Sequence, residues 1–130
     1  METINVGYLG IGDKYKKLLS LADIDFVEQL QNLGDDKKQR DVSNISGIPI
    51  HRIKDWHNNA NLLKVDKVKA SHLELFNAAG VNSILDLKHA DPSELTRKLY
   101  LTNLNQSLVD RTPFFNDVVD MIKSAKKLAY

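Results

Sequence analysis

Apolar residues recur three and four positions apart along almost the whole chain, with polar residues between them, which is the spacing of amphipathic helices. The spacing predicts a short helix over Lys14–Ala22 with Tyr15, Leu18, Leu19 and Ala22 facing inward. After a tight turn at Ile24-Asp25, Asp25 is expected to cap the next helix, with Glu28 completing a capping box. Leu33-Gly34-Asp35 ends that helix. A polar helix over Asp36–Ser46, a turn at Gly47-Ile48-Pro49 and a helix from Pro49 to about Ala60 follow. Beyond a joint at Lys64–Asp66, a helix is expected over Ala70–Ala79, then a turn at Gly80 and a helix capped by Asn82 or Ser83 that ends near His89. Asp91-Pro92-Ser93-Glu94 is a strong helix start, with a cap, a proline in the first position and an acid in the first turn. Thr112-Pro113 opens a last helix whose inward stripe is Phe114, Val118, Met121, Ile122, Ala125 and Leu128. Thr3–Tyr8 alternates weakly, as an extended arm would, and no sheet is predicted.

The pattern occurs twice. Seven apolar positions recur at an offset of 57: Ile11/Val68, Leu18/Leu75, Leu19/Phe76, Ala22/Ala79, Ile24/Val81, Val27/Ile84 and Leu30/Leu87. Ile53, Trp56 and Ala60 match Val118, Met121 and Ala125 at an offset of 65, so the second half carries about eight extra residues, expected within Leu101–Thr112. The repeat predicts an all-α chain of two related helical halves, about 4–63 and 64–130, packed into one compact domain over 1–130. Two half-cores this small are marginal alone, so the halves are expected to share a core and unfold together. Trp56 is expected to be largely buried.

Composition narrows the function. With 130 residues, 42% of them apolar, there is enough material for a real core. Eighteen basic residues against seventeen acidic leave a net charge of +1, less than a dedicated DNA binder carries, which points to weak binding or to a protein partner. The absence of cysteine excludes disulfides and thiolate chemistry and fits a reducing compartment. No apolar run is long enough to span a bilayer, so no membrane is expected as a partner. Met1-Glu2-Thr3-Ile4 does not read as a signal peptide, and a cytoplasmic protein is expected. His51, His57, His72 and His89 lack metal-ligand spacing, there is no Walker loop, and Gly7, Gly10 and Gly12 are not set in a strand–turn–helix unit. The chain is therefore read as no enzyme, with no catalytic residues, no metal and no cofactor.

The candidate chemistry lies in the first turn. Gly10-Ile11-Gly12 precedes a helix that opens with Lys14, Lys16 and Lys17. Glycines let a phosphate approach backbone N–H groups closely, the helix dipole favours an anion there, and lysines add nonspecific attraction. Asp13 works against this by placing a carboxylate beside the site. The bland reading is also open: the glycines permit a tight turn and the lysines are a solvated face. Leu9-Gly10-Ile11-Gly12 with Tyr15 and Leu18 resembles a helix-hairpin-helix motif. Ala78-Ala79-Gly80-Val81-Asn82-Ser83-Ile84-Leu85-Asp86-Leu87, followed by Asp91-Pro92-Ser93-Glu94-Leu95, is similar to the second part of such motifs in DNA-processing proteins. From about Ile4 to Leu128 the chain resembles an uncharacterised bacterial family of two tandem helix-hairpin-helix halves, and Trp56 with Ala60 fits its pattern of a tryptophan before an alanine. The resemblance implies an all-helical fold and nucleic-acid binding by analogy. Asp66-Lys67-Val68-Lys69-Ala70 departs from the pattern by lacking both glycines, which confines the expected grip to the first half.

Two further groups bear on binding. Val42, Ser43, Ser46, Gly47, Ile48, Ile53 and Trp56 sit where a helix-turn-helix has its small, turn and core residues. Its second helix would turn Ile50, His51, Arg52, Lys54 and Asp55 outward, with Arg52 able to reach a guanine edge and Lys54 or His51 a phosphate. A corner that only packs is the commoner meaning of such a pattern. From His51 to His72, five basic residues (Arg52, Lys54, Lys64, Lys67 and Lys69) face two acids (Asp55 and Asp66), either as one patch with the first lysines or as a solvated surface. The expected function is a non-catalytic module touching DNA backbone weakly through Gly10, Gly12, Lys14, Lys16, Lys17, Arg52 and Lys54. The alternative is a protein-interaction or adaptor domain that keeps the fold without the grip.

Overall fold

The computed structural model describes residues 4–128, and every regular element among them is helical. The chain divides into two compact units, Met1–Ala60 and Asn61–Tyr130.

In the first unit, the chain enters extended. Asn5 bridges antiparallel to Phe26, Val6 N–H donates to the Asp25 carbonyl (3.0 Å) and Val27 N–H to the Ile4 carbonyl (2.7 Å). The expected arm thus docks at residues 4–6, then coils into a 3-10 turn, Val6–Leu9, that buries Val6; Thr3 lies outside the described residues. Gly10 ends this turn in the left-handed region (φ 80°), where a side chain is strained. Helix α1 (Asp13–Leu21) buries Leu19 completely, with Tyr15, Leu18 and Ala22 half-buried. Helix α2 (Val27–Gln31) begins one residue later than the sequence reading placed it. Phe26 takes the N-cap position, and Gln29, not Glu28, reaches back so that its Oε1 accepts from the N–H groups of Asp25 (2.7 Å) and Phe26 (2.9 Å). The pairing of Phe26 in the entry bridge fixes this register. Helix α3 (Asp36–Ser46) is capped by the Asp35 carboxylate on Lys37 N–H and stopped by Gly47 at φ 76°. Helix α4 (Ile50–Leu62) runs through the unit boundary after Ala60. The core of the first unit contains Leu19, Leu30, Ile48 and Ile53, all at 1% exposure or less.

The second unit repeats this plan. Helix α5 (Ala70–Ala78) and helix α6 (Ile84–Lys88) stand 57 positions after α1 and α2 at both ends. Ser83 caps α6, its hydroxyl accepting from Asp86 N–H. Asp91 caps helix α7 (Pro92–Gln106), and helix α8 (Phe115–Lys127) has the thirteen residues of α4, 65 positions on. The eight extra residues are distributed: α7 is four longer than α3, the connection after it is five longer, and the one before it is one shorter. Asn103 ties the longer connection by exchanging two hydrogen bonds with the Val109 backbone (2.9 and 3.0 Å). Helix α8 packs on α6 and α7, and α5 on α7. Every second-half member of the seven apolar pairs is buried. Phe114, expected in the inward stripe of α8, is instead the 62%-exposed N-cap residue, because the helix starts at Phe115.

Backbone strain repeats as well. Gly10 and Lys67 both have positive φ, as do Asp23 and Gly80, each pair 57 apart. The two halves therefore make the same turns, with glycine and non-glycine exchanged between them.

Candidate nucleic-acid interface

Gly10 and Gly12 differ in what the fold asks of them. Gly10 takes φ 80° without the strain that its counterpart Lys67 bears at φ 70°. Gly12 is the N-cap of α1 with φ −68°, open to any residue, and a Cβ added there would meet nothing within 4 Å. Its counterpart, the N-cap of α5, is Lys69 at φ −113°. Neither conformation nor packing within the chain requires glycine at 12. No side chain caps α1, so its first N–H groups have no capping acceptor, and Lys16 N–H is the first to bond back, to the Gly12 carbonyl.

Tyr15 connects the turn to α4. Its ring meets Trp56 edge-on, with centroids 5.4 Å apart. The Arg52 guanidinium lies 5.0 Å from the ring centroid and the Lys14 ammonium 5.9 Å. Arg52 and Trp56 are four positions apart, hence on one face of α4. Cation–π contacts at such exposed sites contribute about 0.5–1 kcal/mol each, enough to bias where a long side chain rests. Arg52, Lys14 and the glycine turn therefore share a neighbourhood, although 38 positions separate Lys14 from Arg52 along the chain.

The other candidates are placed differently. Lys17 is exposed, three residues along α1 from Lys14. Lys16 is half-buried and lies back against the 3-10 turn, where a Cβ on Gly7 would stand 3.3 Å from its ammonium nitrogen. Lys54 turns away from Arg52 and pairs with Asp36 at 3.0 Å, which holds the Asp36 carboxyl below its ordinary range. Two residues along a helix is about 200° of rotation, so Arg52 and Lys54 cannot serve one face. His57 directs Nδ1 to the Leu30 carbonyl (2.7 Å) and is a structural tie between α4 and α2. Trp56 is largely buried, as the sequence predicts, but short of a fully buried core residue, its indole edge-on to Tyr15. Trp56→Ala is accordingly expected to cost about 1–2 kcal/mol rather than a full core penalty. Urea denaturation followed by circular dichroism measures it, and a loss above about 3 kcal/mol would restore the core role.

A family model described as Domain of unknown function (DUF4332) matches residues 9–128. The chain belongs to this family. No curated protein and no solved structure matches it.

In the second unit of this DUF4332 chain, the same positions carry different charges. Lys67 and Lys69 replace Gly10 and Gly12, Ser71 replaces Lys14, Glu74 replaces Lys17, and Asp117 stands where α4 has Arg52. Lys67 donates to Asp117 (3.2 Å) and Asp120 (2.5 Å) of α8. The exposed pairing raises the Lys67 pKa and lowers that of Asp120. Of the basic window His51–His72, Lys54 and Lys67 are thus engaged by acids, and Arg52 shares the Tyr15 ring with Lys14. Sequence reading missed Tyr15 as the connecting residue; its one signal was an aromatic at a half-inward position beside lysines. Among the described residues, no three histidines, aspartates or glutamates gather as a metal site, and no helix is long and apolar enough to cross a membrane.

Proposed function

We propose that this chain is a non-catalytic, tandem helix-hairpin-helix module that holds nucleic-acid backbone weakly through its first turn, with Gly12, Lys14, Lys17 and Arg52 as the main contacts. The observation that carries the reading is Gly12. The chain itself has no use for glycine there, whereas close approach of a phosphate to the α1 N–H groups does. Gly10 shapes the turn, and Arg52 and Lys14 flank it through Tyr15. Lys16 and Lys54, folded onto Gly7 and Asp36, contribute general charge. Phosphate contact carries no base information, so binding is sequence-independent. A cytoplasmic setting suits a chain without cysteine.

Fluorescence anisotropy on a labelled mixed-sequence duplex at low salt tests the reading. Gly12→Gln is expected to weaken binding about tenfold, the worth of one charge-assisted contact, while the melting temperature stays within a few degrees. Unchanged binding by Gly12→Gln would remove the close-approach argument.

A second reading, a protein-interaction domain, draws on a different observation. Tyr100, Leu104, Phe114 and Phe115 are each at least 48% exposed and line one open cavity of about 510 Å³ in the second unit. The extended α7 and the long connection, the parts the first unit lacks, supply much of that surface. Absence of any DNA binding by the unmodified protein at low salt would favour this reading.

A further inference from the structure

A different cavity of the second unit, of about 410 Å³, is lined by Lys69, His72, Arg111, Thr112, Phe114 and Met121, together with the Lys67–Asp117 pair. The Asp117 and His72 acceptors in its lining each already hold a donor. Asp117 Oδ1 accepts from Lys67 and Oδ2 from Phe114 N–H (3.3 Å). His72 Nδ1 accepts from Lys69 N–H (3.1 Å), so a neutral ring carries its proton on Nε2. Burial first, and the nearby Lys69 second, push the His72 pKa below the ordinary 6.5 against an opposing pull from Asp117, which keeps the ring neutral at neutral pH. His72 is held further by stacking on Phe76, with centroids 5.8 Å apart and planes 9° from parallel.

What remains uncommitted is donors. Among the described residues Lys69 has no ion pair, Arg111 has only its position over the Phe114 ring (5.7 Å), and the Thr112 hydroxyl has no partner. With the Nε2–H of His72, four donor groups edge a cavity whose exposed apolar wall is Phe114, with the buried Met121 and Pro113 behind it. Arg111 and Thr112 come from the connection between α7 and α8, which is five residues longer than its first-unit counterpart. The cavity is therefore not an inherited part of the repeated plan.

We infer that this cavity is a binding site for a small organic anion, one with a carboxylate or phosphate head on an apolar body, the head held by Arg111, Lys69 and His72 and the body against the exposed Phe114 ring. The site is independent of the nucleic-acid reading, which concerns the first unit.

The test is a two-dimensional NMR titration of the full chain, following backbone amides and the His72 and Arg111 side-chain nitrogens, up to about 10 mM of each probe, enough to register dissociation constants of about 1 mM. The probes are phenyl phosphate, benzoate and inorganic phosphate. Saturable shifts at His72, Arg111 and Phe114 are expected with phenyl phosphate or benzoate, and the stronger of the two identifies the head. Arg111→Gln is expected to weaken that binding about tenfold, and Arg52→Gln, in the first unit, to leave it unchanged. Arg111 is exposed, so its loss leaves the fold intact, which the spectrum itself reports. The inference is overturned by shifts absent from His72 and Arg111, by shifts centred on residues 12–17, by indifference to Arg111→Gln, or by inorganic phosphate binding as tightly as either aromatic probe.

Discussion

Phe76→Ala is expected to destabilise the protein by about 3–5 kcal/mol, the range for removing a fully buried phenylalanine from a packed core. Phe76 is at 0% exposure, its ring stacks under His72, and its carbonyl accepts from Val81 N–H (2.8 Å), closing the turn through Gly80. Truncation would empty the centre of the second unit and free the ring of His72 together. A small domain has only about 5–15 kcal/mol to lose, so a substantial fraction of the stability depends on this one side chain. Urea denaturation monitored by circular dichroism reads the loss. The matching first-unit change, Leu19→Ala, removes a smaller but equally buried side chain and is expected to cost about 2–5 kcal/mol. A loss below about 1 kcal/mol from Phe76→Ala would mean that the second unit does not depend on the core described for it.

The helices were legible because their signals are local. Asp35 before α3 and Gly47 after it bound the helix chemically, and the predicted Asp36–Ser46 has the observed ends. The offset of 57 was visible because burial forces the same apolar spacing on both copies, and the change to 65 marked the longer connection before α8. The shift at α2 was hidden because it depends on Phe26 pairing with Asn5, a contact across 21 residues. Exposure of Phe114 and the residual exposure of Trp56 escaped for a related reason. Hydrophobicity says that a ring gains by burial, but only the helix start at Phe115 and the position of Tyr15 decide how much each ring obtains. The candidate site was readable as a list of residues and not as an arrangement. No spacing along the chain tells that Arg52 lies over Tyr15 beside Lys14 while Lys54, two residues on, faces Asp36.

If the proposed backbone contact is made, the arrangement sets the other large effect, on the salt dependence of that binding. Each phosphate neutralised by a cation contributes about 0.9 to the slope of log affinity against log salt on duplex DNA. Replacing Lys14, Lys17 and Arg52 together by Gln is expected to reduce that slope by about 2–3 and to weaken binding by two orders of magnitude or more at low salt. All three are exposed and none forms an ion pair among the described residues, so their removal costs the fold little. Replacing Lys67 and Lys69 by Gln removes nearly as much formal charge from the second unit. Lys67, however, is already bound by Asp117 and Asp120, and releasing those carboxylates only adds negative charge. That pair of changes is expected to alter the slope by less than about 1. Anisotropy at a series of salt concentrations compares the two sets. Equal slope changes would mean that DNA senses the net charge of the chain and not the glycine turn with its arginine, and the asymmetry between Gly12 and Lys69 would then have no part in binding.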